Sequence, residues 1–254
     1  MKWHDNYESL HIADHEFTRV GDRAMAIIET KSSATIVGVM NFQPHYPFHS
    51  PSETFFTHDI HVDLEKTNES VALRLPSSVK ERLSSYTEEK KSADQTAIQE
   101  VLTQSHGEFD YHQCWTLPLV EKYKEQHKVV SEFASPRTPP NGPTYYHTGV
   151  DFRAGEKTAV HVAANGRVVL TDMFPISGNM MVVDHGGGIF TEYKHLSEFQ
   201  AQVGDRVSRG DVIGLSGATG RVEAPHLHWE MSWQGIPGDP NRFLRALERI
   251  CDRE

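Results

Sequence analysis

The sequence predicts a mainly β protein, in which a small β-rich domain and a helical linker precede an antiparallel β-sheet or sandwich. Short apolar, β-branched runs separated by Gly, Pro, Ser and Asn recur in both halves of the chain. This pattern is typical of strands joined by hairpins. Between the halves, a charged stretch without Gly or Pro continues into Ile98, Val101 and Leu102 at i, i+3 and i+4. That spacing predicts one or two helices, with Ser77 or Ser78 as the N-cap.

Composition divides the chain into four predicted segments. A proline-rich stretch at 135–143 marks the entrance to the C-terminal domain, because Pro and Gly interrupt regular structure. The segments are 1–78 for a β-rich domain, 79–130 for a helical linker, 131–245 for the C-terminal domain and 246–254 for a helical tail. A closing helix is predicted over 240–250. Strands are predicted at 24–28, 34–40, 58–64, 70–75, 160–164, 166–171, 180–184 and 189–193.

The bulk composition excludes several classes of protein. The 254 residues carry a formal net charge of -10, whereas proteins that bind nucleic acid usually carry a basic face. No apolar run approaches the roughly 20 residues of a membrane span, and the first residues lack the apolar stretch of a secretory signal. We therefore expect no nucleic-acid partner and no membrane span. Cys114 and Cys251 leave one disulfide or two free thiols as alternatives.

Sixteen histidines make chance metal-like spacings common in this chain. Ten of them precede residue 130, and their pairs are interpreted as surface or turn histidines. One match, His61-Val-Asp63, has the short spacing found in non-haem iron oxygenases. Nothing around it supports that chemistry, so an oxygenase is not favoured.

Two fragments in the C-terminal half fit one metal site: His147-Thr-Gly-Val-Asp151 and His226-Leu-His228. Side chains two or four residues apart share a face when the backbone is extended. Each fragment then presents its polar side chains together. Two of these imidazoles together with the carboxylate would suit a catalytic zinc that keeps a position open for water.

These fragments and a third segment resemble peptidase family M23, the lysostaphin-type or LytM-type zinc metallopeptidases. The family carries a His-x-x-x-Asp, a Tyr-x-His-Leu and a His-x-His in this order, and the third segment here is Tyr193-Lys-His-Leu-Ser197. The connecting text also resembles the family, and the likeness covers roughly residues 131–245. The connectors that match are Gly178 to Gly186, Gly204 to Gly214 and Gly238-Asp-Pro240.

The resemblance implies a role for each matched residue. His147, Asp151 and His228 become the ligands of one zinc ion, and His195 and His226 become non-ligand histidines at the scissile bond. It also implies a LytM-type sheet built from a duplicated hybrid motif. The expected activity is endopeptidase cleavage of the peptide stems of bacterial peptidoglycan, at the D-Ala–diaminopimelate bond or at glycine bridges. The upstream domain favours the first bond, and the substrate implies the periplasm or cell envelope.

The resemblance leaves alternatives open. A LytM-type regulator binds the wall or an amidase without hydrolysis, but such members lose metal ligands that this chain keeps. A carrier module would fit 203–214 alone, yet no modifiable lysine sits at the expected hairpin tip. In this family an upstream segment sometimes covers the groove, and such inhibition by the N-terminal region is a further expectation. His185 is interpreted as a structural turn histidine, and Arg137 as either a substrate contact or a plain loop arginine.

Overall fold

The computed structural model describes residues 7–12, 15–20, 23–27, 38–40, 71–72, 75–107, 110, 113–119, 128–138, 145–241 and 243–244. The chain divides into two compact units, Met1–Val62 and Asp63–Glu254. The predicted strand at 58–64 and the tail at 246–254 lie outside the described residues. The predicted segment boundaries at 78, 130 and 245 stay predictions.

The first unit contains a four-stranded antiparallel sheet. Its strands pair in chain order, each with the next, as expected for successive hairpins. The predicted strand at 24–28 is confirmed, and the last three residues of the one predicted at 34–40 are extended. The strands are β1 (Tyr7–Ile12), β2 (His15–Val20), β3 (Arg23–Ile27) and β4 (Gly38–Met40).

The second unit contains two sheets that meet beside the candidate site. The smaller consists of β5 (Val71–Ala72), β7 (Pro136–Thr138) and β8 (Tyr145–Tyr146). The larger has ten strands, and these strands pair antiparallel. Its strands are β6 (Val129–Ser131), β9 (Val150–Arg153), β10 (Ala159–His161), β11 (Gly166–Phe174), β12 (Gly178–Asp184), β13 (Ile189–Phe199), β14 (Arg206–Val207), β15 (Val212–Ser216), β16 (His226–Trp233) and β17 (Ile236–Gly238).

The main path of the larger sheet runs in the order β14, β11, β12, β13, β16, β9 and β6. β12 and β13 lie at its centre and are buried along most of their length. The apolar run of β12, Met180 to Val183, is continuous rather than alternating, as is typical of a strand that is buried on both faces. The mainly β, antiparallel class predicted from the sequence is confirmed.

Two helices precede the sheet, α1 (Ser77–Ser84) and α2 (Glu88–Leu102). α2 packs against the sheet through Leu102 with Ile98 and Val101, the three apolar positions whose spacing predicted it. They contact a buried cluster formed by Phe174, Met180, Val182 and Phe190. Complete burial of side chains of this size contributes about 1.5–3 kcal/mol each.

The helix ends correct one prediction. Ser77 and Ser78 lie inside α1, and its N-cap is Pro76, which makes no side-chain cap. The Pro76 carbonyl instead accepts the amides of the first turn. The N-cap of α2 is Thr87, whose hydroxyl accepts the Lys90 amide, as an N-cap Thr does.

The remaining expectations concern a membrane span, the cysteines and the closing helix. No helix among the described residues is both long enough and apolar enough to cross a membrane. Cys114 is disulfide-bonded, and Cys251 lies outside the described residues. The predicted closing helix is present at 240–241 and 243–244, where Phe243 packs its ring edge-on against Trp115.

Candidate functional site

Adjacent strands β9 and β16 form the floor of the site. Their antiparallel register sets Asp151 directly opposite His228. His147 lies just before β9, where its backbone amide donates to the Ser135 carbonyl. Gly149 allows the chain to pass close to β16, since a Cβ there would lie 2.4 Å from the Trp229 carbonyl oxygen. The short loop and the strand register therefore bring the two predicted fragments together.

Three ligand atoms converge at this point. His147 Nε2 lies 2.9 Å from His228 Nδ1 and 3.1 Å from Asp151 Oδ1, and His228 Nδ1 lies 2.7 Å from Asp151 Oδ1. Ligands about 2.0 Å from a tetrahedral zinc lie about 3.3 Å from one another. The triangle is therefore close to the size that zinc requires. Among the described residues, these three side chains form the one such group that could hold a metal.

The opposite side of each converging side chain is fixed by the protein. His147 Nδ1 lies 2.9 Å from the Glu132 carbonyl oxygen, and His228 Nε2 lies 2.6 Å from Glu230 Oε1. Both acceptors require the N–H at that nitrogen, so the other nitrogen of each ring presents a lone pair to the site. Asp151 Oδ2 accepts from the Arg137 guanidinium. One carboxylate oxygen is thus left to face the metal position.

Burial and close contacts shift the pKa values of all three groups. Burial opposes ionisation of Asp151, yet close contacts with the imidazoles of His147 and His228 hold its pKa well below the usual range. Burial lowers the pKa of His147. Burial acts in the same direction on His228, but contacts with Asp151 and Glu230 outweigh it and raise the pKa of that ring.

Two further imidazoles border the triangle. The rings of His195 and His226 lie 4.8 Å apart, and His226 Nε2 lies 3.7 Å from Asp151 Oδ1. His195 Nδ1 donates to the Thr219 carbonyl at 2.9 Å, and His226 Nδ1 donates to the Ala224 carbonyl at 2.8 Å. Since both Nδ1–H groups are used, Nε2 is the free acceptor on each ring.

The environment keeps both of these imidazoles neutral. Burial, followed by repulsion from His226 and His228, lowers the pKa of His195 well below its usual value. Burial also lowers the pKa of His226. His195 has φ of 63°, a left-handed conformation that costs a non-glycine residue energy and is concentrated at functional sites. Two neutral proton acceptors are therefore held beside the metal position.

The structure brings together all five residues that the sequence singled out: His147, Asp151, His195, His226 and His228. His185 lies elsewhere, with Nδ1 donating to the Asn165 carbonyl and Nε2 2.7 Å from the Thr191 hydroxyl.

Sequence reasoning missed the residues that contact the candidate ligands. Arg137 lies on β7 and donates to Asp151 Oδ2, so it is not a plain loop arginine, and its contact with substrate stays a prediction. Glu230 extends the alternation of His226 and His228 on β16, and that period of two was the signal available for it.

Comparisons with known proteins find both a family and individual proteins that this chain resembles. A sequence model described as Peptidase family M23 matches residues 145–240. The peptidoglycan DD-endopeptidase ShyA of Vibrio cholerae is 46% identical over 91 residues, which are 36% of this chain and 21% of that protein. A glycyl-glycine endopeptidase of Staphylococcus capitis is 36% identical over 106 residues, which are 39% of this chain and 29% of that protein.

Among solved structures, a zinc-containing peptidase from Vibrio cholerae is 32% identical, with a TM-score of 0.45. The match covers 52% of this chain and 39% of that one. The chain spans less than a third of the length of either curated relative.

Proposed function

Residues 145–240 form a domain of peptidase family M23, and from this premise we propose that the chain is a zinc-dependent endopeptidase of bacterial peptidoglycan. The observation that carries the proposal is the convergence of His147, Asp151 and His228 beside two neutral imidazoles. A purely structural zinc is closed by four protein ligands, whereas a catalytic one has three and an open position. Three ligands with two free acceptors at the rim suit hydrolysis.

The proposed roles follow from which nitrogen of each ring is free. When bound, zinc supplies a Lewis acid that polarises the scissile carbonyl and lowers the pKa of a water molecule toward about 7. His195 or His226 accepts the proton of the attacking water at Nε2, because Nδ1 of each already donates to a backbone carbonyl. The same imidazolium then donates that proton to the leaving amine. The other ring can donate to the developing oxyanion only in its protonated form.

The proposed bond is D-Ala–diaminopimelate. The relative named as a DD-endopeptidase is 46% identical in the matched region, against 36% for the one named as a glycyl-glycine endopeptidase. Digestion of defined muropeptides that carry either a direct cross-link or a glycine bridge, followed by mass spectrometry, distinguishes the two. A substrate of this kind implies action in the periplasm or cell envelope.

Inhibition of the candidate site by the N-terminal region is a separate proposal. It predicts that removal of residues 1–62 raises the rate of muropeptide cleavage.

Replacement of His147 tests the metal and the activity together. We expect His147→Ala to remove the zinc and to lower kcat/KM for muropeptide cleavage by more than about 10³-fold, because several kcal/mol of charge stabilisation are lost. Zinc content by atomic spectroscopy and product release by chromatography measure the two effects. His161→Ala is the matched control, since that imidazole contacts the Gly210 carbonyl outside the site.

Two results would contradict the proposal. A zinc-loaded wild-type protein that binds peptidoglycan without cleaving any muropeptide would favour the regulator. Wild-type protein without bound zinc would remove the basis of the mechanism.

A further inference from the structure

Two acidic side chains lie directly opposite each other on adjacent strands at the centre of the larger sheet, without an obvious structural reason. Glu192 on β13 is paired in register with Glu230 on β16. Both are buried, with 2% and 6% of their surface exposed. Like charges directly opposite each other destabilise a sheet, and burial of a carboxylate costs much more unless it is paired. Stability alone therefore gives no reason for a second glutamate at this position.

Lys194 offsets this cost by bridging the two carboxylates. Its Nζ lies 3.0 Å from Glu192 Oε2 and 2.5 Å from Glu230 Oε1. Lys194 is two residues from Glu192 on the same strand and is paired in register with His228. Glu192 alone would neutralise the charge of this lysine, so charge balance does not explain Glu230.

His228 does explain Glu230. Glu230 Oε1 lies 2.6 Å from His228 Nε2, and the Thr148 hydroxyl donates to the same oxygen at 2.6 Å. The backbone makes room for this carboxylate, since a Cβ at Gly149 would lie 2.6 Å from Glu230 Cγ. Three donors from three segments therefore hold one carboxylate oxygen against the ring of a proposed metal ligand.

We propose that Glu230 is a positioning residue for the metal site, held in place by Lys194 and Thr148. Its carboxylate accepts the Nε2–H of His228, which leaves the Nδ1 lone pair facing His147 and Asp151. The ring can neither flip nor take the other tautomer without loss of this hydrogen bond. A carboxylate behind a metal-binding imidazole also makes that ligand more basic. The inference rests on the proposed function, because it takes zinc to be the ion bound by the triangle.

The test compares two isosteric substitutions in the same buried cluster. Glu230→Gln removes the charged acceptor of His228, whereas Glu192→Gln removes a buried carboxylate whose one ion pair among the described residues is with Lys194. Zinc affinity is measured by competition with a chromophoric chelator. We expect the zinc dissociation constant to rise by about 10- to 100-fold for Glu230→Gln and by less than about threefold for Glu192→Gln. The visible spectrum of the cobalt-substituted protein should change for Glu230→Gln and not for Glu192→Gln.

Each outcome has one meaning. Equal zinc affinity of Glu230→Gln and wild type, or an equal loss in both variants, would overturn the inference. If wild type itself bound no zinc, the proposed function would fail first. Circular dichroism of the metal-free proteins checks folding. Should Glu230→Gln not fold, Thr148→Val at the exposed Thr148 replaces it, with an expected loss of about 3- to 10-fold from one missing hydrogen bond. An unchanged affinity in that variant would overturn the inference.

Discussion

The two ends of the β12–β13 hairpin hold buried histidines in opposite arrangements. At the turn end, both ring nitrogens of His185 have protein partners, Asn165 and Thr191. At the open end, His195 has one nitrogen fixed by the Thr219 carbonyl, while the other is free to accept. An imidazole with both nitrogens occupied has no atom left for a ligand or a proton. A metal site or a catalytic site instead requires imidazoles that each keep one nitrogen free and that converge on one point.

The largest expected difference between the two ends concerns catalysis. His195→Gln and His226→Gln should each lower kcat/KM by about 10²- to 10⁴-fold, the usual contribution of a general base, while zinc content stays at the wild-type level. His185→Gln should keep the turnover per folded molecule. Muropeptide cleavage and zinc analysis on the three variants measure this. Loss of zinc in His195→Gln would instead make that residue a ligand.

The second difference concerns stability and appears at acid pH. Burial lowers the pKa of His185 to about 4, below its ordinary value of 6.5. Between these two pH values the unfolded chain binds more protons than the folded one, so stability falls as pH falls through this range. The expected loss from this residue is about 3 kcal/mol.

Urea unfolding at several pH values in the presence of a chelator measures that loss. His185→Gln provides the reference, because the other titrating groups are unchanged in it. Its stability should depend less steeply on pH than that of wild type. Parallel pH dependence of the two proteins would show that His185 does not carry the effect.

The smallest expected effect sharpens the description of the open end. Arg137 donates to Asp151 Oδ2 and, at 2.8 Å, to the Ser131 hydroxyl. Arg137→Gln should raise the zinc dissociation constant by about 10-fold, at the low end of the effect of such outer contacts. Chelator competition measures it, and Arg153→Gln, at an exposed position on the same strand as Asp151, is the control. An unchanged affinity would mean that the sheet alone orients Asp151.

The candidate site could be predicted because its residues lie in short fragments that follow one another in a recognisable order along the sequence. The spacing within His226-Leu-His228 fixes a common face once the segment is extended, and β16 is extended there. The residues that support the ligands could not be found in this way. Glu230 meets Lys194 only through the register between β13 and β16, and Arg137 reaches Asp151 from a different sheet.

The fold was predictable to a similar degree. The apolar spacing at Ile98, Val101 and Leu102 predicted a helix and its buried face, because a helix places those positions on one side. The predicted N-cap of α1 was wrong. Two serines there could have capped the helix with a side chain, but the N-cap is Pro76, whose carbonyl accepts amides of the first turn. Caps are decided by a few hydrogen bonds, whereas a buried face involves many contacts.

By itself, the sequence determined the mainly β class, the donor set of the candidate metal site and the order of its motifs, because these depend on spacing along the chain. Only the tertiary structure decided which nitrogen of each imidazole is free, since that depends on carbonyls and carboxylates from distant segments. The contrast between His185 and His195 is of this kind. Both are buried histidines, and their hydrogen-bond partners alone set one for packing and the other for chemistry.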